Sequence, residues 1–359
     1  MSVAIEGGRV PALLQQLKPV EPSRSLGSSH SQSDPLRIAL VNNMPDPALE
    51  DTELQFFELL SAAAGDTAVS LKFFSLPNLP RTAVGQRHLN SFYSGVEDLL
   101  STQFDGAIIT GTEPRRPNLR EEPYWQALVD VLEWAENNTA SAVLSCLAAH
   151  AGVLASDDIP RHPLGEKQFG VFEYRKMSSH ALTKGIGDGM RIPHSRWNEV
   201  KADALAARGY EILTQSESAG VDLFVKQRKR SLFVHFQGHP EYSTRTLLKE
   251  YRRDIKRFLR RERETYPSMP HGYFAEPATQ LLAEFRQKAM TERREEMLAE
   301  FPEAEVAATV QNGWQASASV VYRNWLQHLV ERRAENPSLV AMAPATRAGL
   351  ARARWSPNL

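Results

Sequence analysis

Cysteine is nearly absent: the 359 residues contain one, Cys146. A single thiol excludes an intramolecular disulfide framework, and a cysteine-based zinc motif has no second ligand of its kind. No other residue cluster points to a required metal. Excess charge is missing too. Forty-two Lys and Arg face 43 Asp and Glu, for a net charge of −1. That balance argues against a bulk electrostatic partner such as duplex nucleic acid. No apolar run approaches the roughly 20 residues that span a bilayer. The N-terminus lacks a basic stretch followed by an apolar segment, so it does not read as a secretory signal. These absences lead us to expect a cytoplasmic protein with no membrane and no nucleic-acid partner, acting on small molecules.

What is present is an alternation of strands and helices. Residues 1–35 are rich in Ser, Gly and Pro, as in Glu21 to Ser29, and read as a mostly disordered leader. From Leu36 onward, Arg37–Val41, Val69–Phe74, Ala107–Thr110 and Ser141–Ser145 read as short apolar strands. Helices are expected at Asp51–Ala63, Leu89–Leu100 and Tyr124–Glu136 between them. This is the pattern of a doubly wound, mostly parallel α/β sheet flanked by helices. Ligands of such sheets bind beyond the carboxyl ends of the strands. Asn42–Pro45, Thr110–Arg115 and Cys146 fall there. Farther on, Gln168–Arg175 and Tyr210–Gln215 read as strands, and Val221–Val225 with Leu232–Phe236 as a hairpin. Thr244–Arg263, Gln280–Met297 and Asn312–Arg333 read as helices. The expected organisation is one domain over 36–335 with a C-terminal helical appendage, a helical insertion at about 276–310, and a loose tail over 336–359.

Cys146 lies between the run Ser141–Ser145 and the small-residue stretch Leu147–Leu154, which starts like a helix. A side chain on such a strand-to-helix turn is held at the sheet's carboxyl edge, where the helix end favours an anion. Lone cysteines are most often small buried hydrophobes. The context here differs, because a histidine and a carboxylate occur in Gly238-His239-Pro240-Glu241-Tyr242. In an extended segment residues i and i+2 point the same way, so Glu241 can brace the His239 imidazole. A nucleophile, a base and an orienting acid are then all available.

This constellation resembles the Cys-His-Glu triad of the class I glutamine amidotransferase-like fold. Within that fold, several motifs in order resemble the homoserine O-acyltransferases. They include Asn43-Met44-Pro45, Glu50 to Phe56, Leu89 to Tyr93, Phe104-Asp105-Gly106, Thr110-Gly111, Tyr124-Trp125, Glu166-Lys167, Pro193-His194-Ser195-Arg196, Gly238 to Tyr242 and Asn324-Trp325-Leu326. The likeness covers about residues 36–330. It implies that Cys146 carries an acyl group as a thioester, with His239 the general base and Glu241 its orienting group. It also implies that Lys167, Ser195 and Arg196 line the substrate pocket, and that Glu250 and Arg253 grip homoserine by its ammonium and carboxylate. No bound cofactor is implied; an acyl-CoA is the co-substrate, and a homodimer is implied although no interface stripe is legible. In the family a position shortly after Thr-Gly tunes the donor, glycine going with succinyl and glutamate with acetyl. Arg115 stands there. Its charge suits the free carboxylate of succinyl-CoA and its bulk suits acetyl-CoA; we expect succinyl.

The chain also departs from the family. Leu147 and His150 stand where an aromatic residue and a glutamine are usual. His150 is expected to pack rather than to tune the thiol. A glutamine amidotransferase subunit would share the triad, but such enzymes flank the nucleophile with glycines, and the flanks here are Leu144, Ser145, Leu147 and Ala148. A thiol sensor on the same fold would leave Glu241 and the Glu250/Arg253 pair without a purpose.

Overall fold

The computed structural model describes residues 2–6, 10–15, 34–187 and 189–335. The expectations for Glu21–Ser29 and for the tail after 335 lie outside these residues. The strands, in chain order, are β1 (Val3–Ile5), β2 (Leu36–Val41), β3 (Val69–Phe74), β4 (Gly106–Ile109), β5 (Ser141–Ser145), β6 (His162–Lys176), β7 (Met190–Glu199), β8 (Glu211–Ile212), β9 (Thr214–Ser216), β10 (Gly220–Val221), β11 (Leu223–Arg228) and β12 (Ser231–Phe236). An eight-stranded sheet runs in the order β1-β3-β2-β4-β5-β12-β11-β8. It is parallel from β1 to β12, and β11 and β8 add antiparallel at the far edge.

The strands are apolar on both faces because both faces are covered. In β2, Ile38 and Leu40 enter one core, and Ala39 and Val41 enter the other. The first core receives the helix Asp46–Ala64 through Phe56 and Leu60, and the C-terminal helix Gln315–Glu335 through Tyr322, Trp325 and Leu329. Trp325 Nε1 also donates to Ser141 Oγ at 2.9 Å, joining that helix to the start of β5. The second core receives the helices Trp125–Asn138 and Leu147–Asp157.

Three features differ from the sequence reading. The first residues are not wholly a leader, since Val3–Ile5 pair in parallel with Val69–Leu71 and Val3 is buried. These residues cover an edge of the sheet that would otherwise expose unpaired backbone. The helix expected at Leu89–Leu100 is two helices, Ala83–Phe92 and Val96–Leu100. Tyr93 is extended between them, and its hydroxyl donates to the buried Glu53 carboxylate at 2.6 Å. Finally, β6 and β7 form a long antiparallel pair in a second sheet ordered β10-β9-β6-β7. Ser195 and Arg196 therefore sit in a strand absent from the sequence reading.

A third core lies over this second sheet. Phe169 and Val171 of β6 meet Leu248, Tyr251 and Ile255 of the helix Thr246–Leu259. The insertion packs on the same cluster. Its helix Glu276–Thr291 buries Ala278, Leu282, Phe285 and Ala289, spaced as one helical face. A 3₁₀ segment, Glu295–Glu300, replaces the end of the helix expected to reach Met297.

Candidate active site

β5 ends at Ser145, and Cys146 follows with φ 52° and ψ −112° before the helix Leu147–Asp157. A positive φ is costly for any residue with a Cβ and persists only where the surroundings enforce it. Here the Cys146 N–H donates to Phe236 O of the neighbouring β12 at 2.8 Å, which pins the turn. The Leu147 N–H, in the first turn of the helix, has no acceptor among the described residues. Across from it runs the loop after β4. Asn43 ties that loop down by donating from Nδ2 to Thr110 O at 2.9 Å and accepting the Leu76 N–H on Oδ1 at 3.0 Å. Gly111 is packed so tightly that a Cβ there would lie 2.6 Å from Leu147 Cβ and 2.9 Å from its backbone nitrogen.

His239 and Glu241 come from the turn after β12. The imidazole Nδ1 and Glu241 Oε1 are 2.8 Å apart, and Ser145 Oγ donates to the same oxygen at 3.2 Å. Burial opposes a charge on His239. The charges of Cys146 and Glu241, with hydrogen bonds to both, outweigh it and hold the imidazole well above its usual pKa. Cys146, His239 and Glu241 are thus brought together. The His239 ring stacks on Tyr242 with centroids 4.2 Å apart, and the Tyr242 hydroxyl donates to Glu250 Oε1 at 2.7 Å.

Glu250 is the hub of a half-buried polar cluster. Its Oε2 accepts from Ser195 Oγ at 2.5 Å and lies 3.6 Å from Lys167 Nζ and 3.4 Å from Arg253 Nη2. Lys167 also meets Asp254 Oδ2 at 3.0 Å, and Arg253 Nε meets Asp254 Oδ1 at 3.0 Å. Burial raises the Glu250 pKa, but Lys167, Arg253 and the two hydroxyl donors together hold it below the ordinary carboxylate range. Two carboxylates and two cations balance, with Arg253 nearest solvent. Tyr242 and Asp254 carry this geometry without having been singled out in sequence. Asp254 follows Glu250 by four residues on the helix Thr246–Leu259, the spacing that puts two side chains on one face.

Arg196 does not join them. Strand neighbours point to opposite faces, and while Ser195 meets Glu250, the Arg196 guanidinium is buried against His194 Nδ1 and the carbonyls of Asn198 and Ala219. The expectation that both line one pocket fails for this reason. His150 packs, its Nε2 2.9 Å from Gln237 Oε1, and burial followed by the Arg196 charge pushes its pKa down to about 3. Arg115 is exposed. Its backbone N–H is held by Glu122 Oε1 at 2.5 Å, and its guanidinium has no hydrogen bond or ion pair among the described residues. A narrow crevice beside Cys146 is lined by Gly111, Thr112, Tyr124, Leu147 and Ala148, among others. No grouping of His, Cys, Asp and Glu among the described residues could hold a metal ion.

The chain matches known proteins over most of its length. A family profile described as homoserine O-succinyltransferase matches residues 16–336. A homoserine O-succinyltransferase of Rhodopseudomonas palustris is 44% identical over 81% of this chain and 87% of its own. One of Methylorubrum extorquens is 41% identical over 83% of this chain and 88% of its own. A solved glutamine amidotransferase of Thermotoga maritima covers 83% of this chain and all of its own at 11% identity, with a TM-score of 0.46. The chain belongs to the homoserine O-succinyltransferase family and is an enzyme of that type.

Proposed function

We infer that the enzyme moves a succinyl group from succinyl-CoA to the hydroxyl of L-homoserine in two steps, through a thioester on Cys146. In the first, the Cys146 sulfur attacks the thioester carbonyl and coenzyme A leaves, taking a proton from the His239 imidazolium. In the second, the homoserine hydroxyl attacks the acyl carbon while His239 accepts its proton, and the Cys146 sulfur leaves. The Leu147 N–H, with a donor from the Gly111 loop, would face the oxyanion of each tetrahedral intermediate. Such ping-pong transfer needs one acyl site used twice. Its product, O-succinyl-homoserine, would open the route to methionine.

One observation carries this reading: Tyr242 stacks on the base and bonds to Glu250. An amino acid held by Glu250 at its ammonium and by Arg253 at its carboxylate would present its side-chain hydroxyl toward His239. Arginine's planar fork suits the carboxylate.

The test is the intact mass of the protein after brief exposure to succinyl-CoA or acetyl-CoA, with Cys146→Ala as control. A succinyl-sized adduct, absent in the variant and discharged by homoserine, is expected. An acetyl adduct alone would keep the mechanism and overturn the donor. Absence of any adduct would overturn the thioester.

A further inference from the structure

The turn that carries His239 is held at its backbone as well as at its ring. Glu241 braces the ring. A second buried acid, Asp222, braces the backbone. Asp222 lies where the chain passes from β10 of the smaller sheet to β11 of the larger one, and it is fully buried. Its Oδ1 accepts the Gly238 N–H at 2.7 Å, one residue before the imidazole. Its own carbonyl accepts the Gln237 N–H at 3.1 Å, and the His239 N–H goes to Pro193 O of β7 at 2.8 Å. Three successive N–H groups thus fix the approach to the ring, and a side chain holds the middle one. Gly238 is pressed onto β7, since a Cβ there would lie 2.5 Å from Ile192 Cγ2 and 2.7 Å from His194 Nε2.

No ion pair accounts for the burial of Asp222. The one basic group within 4.0 Å of it among the described residues is His194, whose Nε2 is 3.6 Å from Oδ1. That ring is neutral. Arg196 Nε donates to His194 Nδ1 at 3.2 Å, and arginine has no acceptor to offer in return. Nδ1 therefore accepts, and Nε2 carries the hydrogen toward Tyr174 Oη at 2.7 Å. Burial, the Arg196 charge and the His239 charge hold His194 well below its usual pKa. Asp222 Oδ2 has no partner among the described residues. Burial pushes the Asp222 carboxyl up to about 7, against the pull of the Gly238 N–H and the charges of Arg196 and His239. An acid so placed is costly to the fold. What it supplies is one acceptor, aimed at the turn of the base.

We propose that Asp222 is a positioning residue, whose bond to Gly238 sets the His239 imidazole against Cys146 and Glu241. The proposal rests on His239 being the base of the thioester route above. The acceptor does this work and the charge does not, so an asparagine in its place serves as well.

The experiment compares Asp222→Asn, Asp222→Leu and Asp222→Ser in the full-length protein. Asn keeps the acceptor, Leu fills the volume without one, and Ser is too short to reach and leaves room for water. Each is followed by single-turnover acylation with succinyl-CoA and with acetyl-CoA, by Tm, and by the NMR titration of the His239 ring, assigned by its loss in His239→Gln. Acylation should fall roughly tenfold or more in Leu and Ser. The His239 midpoint should fall with it, because the ring moves away from the two charges that raise it. Asn should hold both close to wild type. A Leu or Ser variant with a lower Tm but unchanged acylation and titration would show that Asp222 serves only the fold, as would failure of both to fold. An Asn variant as impaired as Leu would show that the charge matters instead of the acceptor. If the wild-type protein forms no adduct from either donor, the thioester route falls, and the His239 titration alone decides whether Asp222 places the ring.

Discussion

At the scale of single residues, the proposed chemistry turns on the His239 imidazole. Its elevated pKa depends on the Cys146 charge beside it. In the proposed sequence, acylation removes that charge, and the support for the imidazolium weakens. The neutral ring is then favoured, and that is the form the second step needs to receive the homoserine proton. Tyr242 couples this ring to Glu250 of the proposed acceptor subsite. Tyr242→Phe keeps the stack and removes one bond to Glu250, so the KM for homoserine should rise roughly tenfold while acylation continues. Steady-state and single-turnover kinetics separate the two; a matching loss of acylation would mean that the tyrosine only supports the fold. Much of this was legible beforehand. Cys146 follows an apolar run, and His239 and Glu241 are two apart in an extended turn. Asp254 escaped because its role is read only against Lys167, 87 residues back, and Tyr242 because its bond to Glu250 spans the turn into the helix Thr246–Leu259.

At the scale of elements, the site is a meeting of strand ends. The loop after β4 must lie against the first turn of the Leu147–Asp157 helix, and only glycine allows it. Gly111→Ala pushes a methyl group into the Leu147 backbone. We expect kcat to fall roughly a hundredfold, the scale of losing one oxyanion donor. A variant within twofold of wild type would show that this loop plays no part in the chemistry. Periodicity located the parallel strands well, because strands covered on both faces read as plain apolar runs. It misplaced the helix break at Tyr93, where a long-range bond to Glu53 overrides local preference. It did not find β7, since proline and polar residues there hide its alternation. Arg252 on the Thr246–Leu259 helix and Arg260 just past its end pair with the insertion, Arg252 with Glu303 and Arg260 with Glu295. Exposed pairs of this kind contribute little individually.

At the scale of the whole molecule, both faces of one sheet are sealed by segments far apart in the chain. The C-terminal helix shares a core with β2, β3 and the helix Asp46–Ala64. Trp325 is 1% exposed and bonds to Ser141 at the start of β5. Trp325→Ala should cost about 3–5 kcal/mol and lower the Tm by roughly 10 °C. Thermal unfolding by circular dichroism checks this; a shift of less than about 2 °C would make the helix peripheral. Among the described residues, no helix is long and apolar enough to cross a membrane. The pairing of β5 with β12 has a further consequence. Ser145 and Phe236 are register partners, so Cys146 and the turn bearing His239 leave adjacent strands. On the ribosome, however, the strand bearing the thiol is made well before the one bearing the histidine. The half-made enzyme therefore carries its only sulfhydryl without a base to go with it. On the proposed chemistry, transfer waits for the last parallel strand to dock, so completion of the sheet would be the step that arms the enzyme.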